Sequence, residues 1–308
     1  MFEDIIDYPF SKTRRGCVGM KEQRRSFDPA ELSRRIRLQV PYFAFQALWQ
    51  EGESLIGTFT CEQPLVHEVG PITAGELGRH MAILGGCAAV ALHNGADGYY
   101  LATRAHFIRK STEQAMAQEG FHASAQVVNL DKRSLEVSAR AWGREPIAEL
   151  ICEYAILSPA LFQRNFRSYA NDSRCVTSRS PYQWPVPIYS LMYQHEQLEA
   201  LAGPLSAQQC AGHFPGFPCW PVAIISQTAF QVTGELLRKK YGMGTRFCVR
   251  DTQLSAEKLM GADSVLKFSV EITPDPANSC WVRSRVSVYH GDERVVYLLS
   301  QLELVLAT

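Results

Sequence analysis

The spacing of hydrophobic and polar positions changes several times along the chain, and each change marks an element. LIGTFTCE (55–62) is rich in β-branched and aromatic residues and predicts a strand. After the loop QPLVHEVGPI, the stretch TAGELGRHMAILGGCAAVALHNG (73–95) predicts a helix. Thr73 is its candidate N-cap, Glu76 completes a capping box, and Asn94-Gly95 supplies the stop. Small and apolar residues on all its sides predict a helix wrapped by other structure. Strand-like segments follow at 99–109, at 121–143 in two arms, and at 147–157.

The stretch from 158 to about 190 is polar, Pro-rich and aperiodic, as expected of a linker. The earlier order then returns. The loop AGHFPGFPCWP leads into a helix over 222–241, with Lys239 and Lys240 complementing its C-terminal dipole. Strands are expected at 246–255, 264–274, 280–289 and 294–306. HEVG at 67–70 aligns with HFPG at 213–216 at an offset of 146 residues, and Gly143 aligns with Gly291 at 148. A nearly constant offset across a loop, a helix and a hairpin points to duplication. The expected fold class is therefore α+β, each half an antiparallel sheet wrapped around one long helix. The boundaries expected are an extension over 1–50 packing on the body, a first domain over 51–158, a linker over 159–190 and a second domain over 191–308.

Composition narrows the function classes. Of 308 residues, 46% are hydrophobic and 20% charged, as in ordinary globular chains. Lys plus Arg and Asp plus Glu both number 31, so no net charge favours nucleic acid or an anionic membrane. The basic clusters KTRR, KEQRR and SRRIR fit a solvated surface, and VPYFAFQALW fits packing against the body. MFEDIIDYPFSKTRR has no apolar core of a signal peptide, and no run approaches a membrane span, so a cytoplasmic protein is expected. The nine cysteines, at 17, 61, 87, 152, 175, 210, 219, 248 and 280, form no CxxC pair and sit mostly among apolar residues. They are expected to be small core side chains in a reducing compartment. No phosphate loop, GxSxG or HExxH motif occurs, and no metal or cofactor is expected.

The stretch GHFPGFPCWPVAIISQTAFQ (212–231) carries the chemistry: a histidine in a proline-stiffened turn just ahead of a helix. It resembles the hot-dog-fold β-hydroxyacyl thioester dehydratases of fatty acid synthesis, whose motif runs H-F-P-G-x-P-x-M-P-G with a Glu or Asp fourteen residues after the His. The match is good from His213 to Pro221 and covers about 25 residues. With the doubled plan, the resemblance implies a double hot dog, one chain doing the work of a homodimer. It departs at Val222, where the family has a second Gly, and at Gln227, where the family has its acid. The amino-terminal loop keeps only His67. The same offset puts Met81 opposite Gln227, and a one-residue shift puts His80 there.

The resemblance implies that His213 acts as general base on an acyl thioester while the helix N-terminus holds the carbonyl oxygen. Phe214, Gly216, Pro221, Val222 and, from the other half, Gly75 would line the substrate site. Because the base and the acid of a family site come from different hot dogs, it pairs His213 with the amino-terminal helix near Glu76 and His80, and His67 with Gln227. The first pairing, with a carboxylate and a second imidazole at i, i+4, is the expected active site. Plainer roles stand beside these: Glu76 as a capping-box residue, His80 as part of a wrapped helix face, Gln227 as a buried amide. His93, His106, His122, His195 and His290 join no constellation. The expected activity is a dehydratase-like elimination, or a related cyclisation or isomerisation, on a thioester of acyl carrier protein or coenzyme A. The acyl tail would lie in an apolar tunnel along a central helix. Thioester hydrolysis is the runner-up, and a non-catalytic acyl-binding role in a synthase complex the third reading. Assembly into a homo-oligomer is left open.

Overall fold

A computed structural model describes residues 24–111, 120–171 and 179–305. The chain opens with β1 (Ser26–Phe27), α1 (Pro29–Arg35) and the hairpin β2 (Ala47–Glu51) and β3 (Ser54–Phe59). The long helix α2 (Ala74–Leu92) follows, then β4 (Tyr99–Arg109), β5 (Phe121–Leu130), β6 (Ser134–Trp142) and β7 (Pro146–Leu157). After α3 (Pro159–Asn165) the plan repeats: hairpin β8 (Ile188–Gln194) and β9 (Gln197–Ala202), helix α4 (Val222–Tyr241), then β10 (Arg246–Ala256), β11 (Leu266–Pro274), β12 (Trp281–His290) and β13 (Glu293–Val305).

The thirteen strands form one antiparallel sheet in the order β1-β2-β3-β5-β6-β7-β4-β10-β13-β12-β11-β9-β8. From β2 to β8 that order is its own mirror image across the β4–β10 seam, so each half contributes one hairpin, one long helix and four further strands. Five residue pairs, from Arg104↔Ser255 to Ile108↔Asp251, join the halves there. His106, given no role by sequence, sits on this seam with its Nε2 2.8 Å from Asp251. That bond raises the pKa of the ring above its ordinary value.

Both helices are largely buried, α2 on all sides and α4 with a polar stripe left half-buried. In α2 fifteen residues are buried, and in α4 eleven. Alternating buried and exposed positions along β6 and β12 lay one face of each strand on the helices. Thr73 caps α2 by accepting from the Glu76 N–H. The far end of α2 has no basic residue in its last turn. Arg35 of α1 serves instead, donating to the carbonyls of Val90 and Gly95 at 2.7 and 3.1 Å. The helices come into close contact where Gly75 meets Gln227. A Cβ on Gly75 would lie 3.0 Å from the Gln227 Cβ and 3.2 Å from its Cα.

Three segments differ from the sequence pattern. The first strand stops at Phe59, because Glu62 and Gln63 turn their N–H groups onto the Glu76 carboxylate. Within 24–50, Tyr42, Phe43 and Phe45 pack into the core and a strand, β2, begins at Ala47. The stretch 159–190 is more than a linker, since Phe162 and Tyr182 are buried in the body. Its exposed polar residues, such as Gln163, Arg164 and Arg167, hide that anchoring. Cys17 and Cys175 lie outside the described residues. Cys87, Cys152, Cys219 and Cys248 are buried, and burial pushes each thiol up. Among the described residues no helix is long and apolar enough to cross a membrane.

Replacing Gly75 by Val forces a branched side chain into the helix crossing, where Gln227 backbone cannot recede. The expected cost is about 2 kcal/mol of unfolding free energy, read from urea melts.

Candidate active site

His213 is positioned from both sides. Its N–H bonds the Cys210 carbonyl at 3.0 Å, and the Phe217 N–H bonds that of Phe214 at 2.9 Å, closing a tight loop. Gly212 adopts φ +80, and a Cβ there would run into the backbone of Gln39, Val40 and Tyr42. This position therefore requires glycine, which lets the loop lie against residues 38–42. Leu38 bridges His213, and the Gln39 N–H bonds the Gly212 carbonyl at 2.8 Å. The Tyr42 ring meets the imidazole edge-on at 4.8 Å between centres, and Phe214 covers its other side at 4.1 Å. Phe214 is itself wedged against Tyr99 and Phe162.

Nδ1 of His213 faces the Cys219 sulfur at 3.4 Å. A proton on Nδ1 leaves the Nε2 lone pair for the cavity. Burial pushes the pKa of the ring down to about 3, so it is neutral at physiological pH. The cavity it faces measures about 330 Å³. Its lining includes Tyr42, Arg79, Ala82, Ile83, Gly86, Trp220, Val222 and Ala223, and reaches the exposed Glu257 and Lys258. A narrower apolar pocket of about 70 Å³ adjoins it between the helices and shares Ala82, Ala102, Val222 and Ala223 with it.

The N-termini of the two helices differ. At α4 the N-cap position is Pro221, which has no side-chain acceptor, so the first N–H groups, on Val222 and Ala223, are left for a ligand in the cavity they line. At α2 the same feature is already used. Glu68 accepts from the Ala74 N–H at 2.8 Å, and Thr73 from that of Glu76 at 3.3 Å. Burial raises the Glu68 carboxyl, against the pull of Arg109.

The pairing of His213 with Glu76 and His80 needs correction. Those two share a face of α2, as their i, i+4 spacing dictates, but that face turns to the β3 side. Glu76 accepts from the N–H groups of Glu62 and Gln63 at 2.7 and 3.2 Å and from the Cys61 thiol at 3.3 Å. The hydrogen bond and charge of His80, with Arg79, hold its carboxyl below the usual range against the opposing effect of burial. His80 is fully buried and stacks on Phe59 at 4.2 Å. Burial, with Arg79 next to it, lowers its pKa. The face of α2 on the cavity carries Arg79, Ala82, Ile83 and Gly86. Arg79 is also the true counterpart of Gln227, since each is the sixth residue of its helix. Met81, the alternative counterpart, is a fully buried core residue.

His67 and Gln227 do line one cavity, of about 180 Å³, with Glu235. Gly234 leaves room for the His67 ring, which a Cβ there would strike. His67 Nε2 stands 3.3 Å from Glu235, while burial and the Arg238 guanidinium hold its pKa at about 4. Gln227 is tied down, accepting from Gln63 at 2.8 Å. Of the other expected contacts, Phe214 and Val222 line the His213 cavity. Gly75 lines the adjoining pocket, while Gly216 and Pro221 shape the loop and the start of α4. Sequence reasoning missed Arg79 and Tyr42. A stripe of one Arg with Ala82, Ile83 and Gly86 at i+3, i+4 and i+7 was the available signal for the first.

No protein-family model matches the chain, and no curated protein is similar to it in sequence. Solved structures are similar in shape. A Lactobacillus plantarum protein described as an oleoyl thioesterase has a TM-score of 0.56 at 11% identity, over 83% of this chain and 97% of its own. A conserved Alicyclobacillus acidocaldarius protein of unknown function with a hot dog fold has a TM-score of 0.53 at 11% identity, over 88% and 100%. The TesB protein of Mycobacterium avium subsp. paratuberculosis has a TM-score of 0.52 at 11% identity, over 84% and 95%. The fold is a double hot dog. Within it, each helix is the filling of its own half, and the α2–α4 crossing brings one half's helix face to the other half's loop.

His213 stays neutral in the double hot dog at a pH where an unfolded His, with pKa about 6.5, binds a proton. The unfolded chain therefore takes up protons first, and stability falls as pH drops below about 6.5. The His213 share of that loss is about 2 kcal/mol at pH 5. Urea melts from pH 7 to 4 check this, and His213→Gln is expected to flatten the slope by nearly one proton.

Proposed function

We propose that this double hot dog processes acyl thioesters in the His213 cavity, and that the reaction is hydrolysis. The observation that carries the reading is the uncapped N-terminus of α4 beside a neutral, buried imidazole in an apolar cavity. The thioester carbonyl oxygen would take the N–H groups of Val222 and Ala223. His213 Nε2 would remove a proton from water as the water oxygen attacks the carbonyl carbon. The negative charge then builds on an oxygen already facing the positive end of a helix. Collapse of the tetrahedral intermediate breaks the C–S bond, and the imidazolium returns its proton to the thiolate. The products are a free acid and a thiol. The acyl chain would gain ~0.8 kcal/mol for each CH₂ buried in the apolar part of the cavity. The thiol carrier would be acyl carrier protein or coenzyme A.

Two observations favour hydrolysis over elimination. One of the solved structures similar in shape, the Lactobacillus plantarum protein, is described as an oleoyl thioesterase. Among the described residues no carboxylic acid faces His213: the cavity carboxylate, Glu257, is exposed at the mouth and paired with Arg294. Elimination of water needs a proton for the leaving hydroxyl, and an arginine at the acid position has none to give. The HFPG loop itself supports the second reading, an elimination, cyclisation or isomerisation at C2–C3.

Saturated, enoyl and 3-hydroxyacyl thioesters incubated with the protein and followed by mass distinguish the readings. Free acid and thiol are expected; loss of water would favour the second reading, and unreacted bound ligand a binding role. His213→Ala is expected to lower kcat/KM by 10²-fold or more. His67→Ala is expected to change it less than about threefold, because Glu68 already occupies its helix terminus.

A further inference from the structure

Four glycines lie within α2, and three of them are explained by packing. A Cβ on Gly75 would press on Gln227, one on Gly85 would strike Val137 and the Tyr154 hydroxyl, and one on Gly86 would touch Ile36 and Tyr100. Gly78 is different. It sits in the helix with no left-handed φ, and a Cβ there would meet no described atom within 4 Å. Neither a close approach nor the backbone calls for glycine, and glycine weakens a helix interior. What the missing side chain leaves is space. That space belongs to the narrow pocket of about 70 Å³ between the helices, which Gly78 lines. Between Ala74 and Val90, Gly78 and Ala82 are the only residues of α2 that are not buried, and both line this pocket.

From this, and resting on the reading of the His213 cavity as an acyl-thioester site, we propose that the pocket takes the far end of the acyl chain. Gly78 keeps it open, and the substrates are straight chains of about ten carbons with an unsubstituted end. The pocket starts where the carbonyl would be held, because Val222 and Ala223 line both spaces. From there it follows one face of α4 through Ser226 to Phe230. Phe230 also lines the His67 cavity and so stands as the wall between the two. On α2 the path runs the other way, from Ala82, which lines both spaces, past Gly78 to Ala74. Either route covers eight helical steps, a rise of about 12 Å. An extended alkyl chain, with C–C bonds of about 1.5 Å, advances about 1.25 Å per carbon, so about ten carbons fill that length. Gly78 stands halfway along it. The lining offers a chain end nothing polar: Ser226 Oγ donates to the Ala223 carbonyl and Thr252 Oγ1 to Ser300, each at 2.9 Å. A hydroxyl or carboxylate carried there would lose water without gaining a partner, whereas hydrocarbon suits an apolar void.

Calorimetric titration of the full chain with non-hydrolysable amide analogues of butanoyl- to tetradecanoyl-pantetheine tests this. Affinity is expected to rise about fourfold for each added CH₂ up to about ten carbons and then to level or fall. In Gly78→Leu, whose side chain blocks the path at its midpoint, the break is expected near about six carbons, with butanoyl affinity unchanged within about twofold. If that variant does not fold, Gly78→Ala serves. Its Cβ enters open space, so the folding equilibrium is expected to shift about fivefold toward the folded state. Its decanoyl-to-butanoyl affinity ratio is expected to fall at least about fourfold, the worth of one CH₂. A break that stays in place in the folded variant would overturn the proposal and leave the space a packing defect. Equal losses at every length, or a wild-type series with no break between about eight and twelve carbons, would also overturn it. Binding is read without turnover. A break near ten carbons with no hydrolysis of any thioester would sink the proposed reaction and leave this inference standing. Hydrolysis with no such break would do the reverse, and no binding of any analogue would end both.

Discussion

The close crossing of α2 and α4 is the constraint on which the rest depends. Two helices can approach this far only where side chains are small, and Gly75 against Gln227 supplies the point of contact. The crossing brings Arg79 of one half into a cavity whose histidine and open helix terminus belong to the other. The sheet fixes the crossing from outside. With β4 bonded to β10, the halves form one continuous layer, and neither helix can shift without disturbing strand register.

Within that frame the two clefts have parted ways. Both hold a histidine in the loop before a helix, and both rings are kept neutral by burial. At α4 the helix terminus is free, at α2 a carboxylate from the same chain sits on it. The difference comes down to Glu68 and Pro221, one adding an acceptor and the other withholding one. A fold that keeps its symmetry in backbone has lost it in electrostatics.

The strands and the two long helices were legible because period and end signals agreed: Thr73 with Glu76 and Asn94 at α2, the basic last turn at α4. The hairpin β8–β9 was not, because β8 is an edge strand with most positions exposed, so the alternation that marks a half-buried strand is absent. The His213 loop was legible from HFPG. Its partner was not, because a fixed residue offset taken from the loops slips by two at the helices: the loops differ in length while the helix starts differ by 148. That slip moved attention from Arg79 to His80 and Met81. Tyr42 was hidden in an aromatic run whose members cannot be ranked without knowing which ring meets the loop.

Joining the halves in one chain has a genetic corollary. In a dimer of identical subunits every substitution appears twice, so neither cleft can lose a helix terminus or gain an arginine alone. Here each change is written once. One cleft is thus at liberty to drift or take up other work while selection holds its twin.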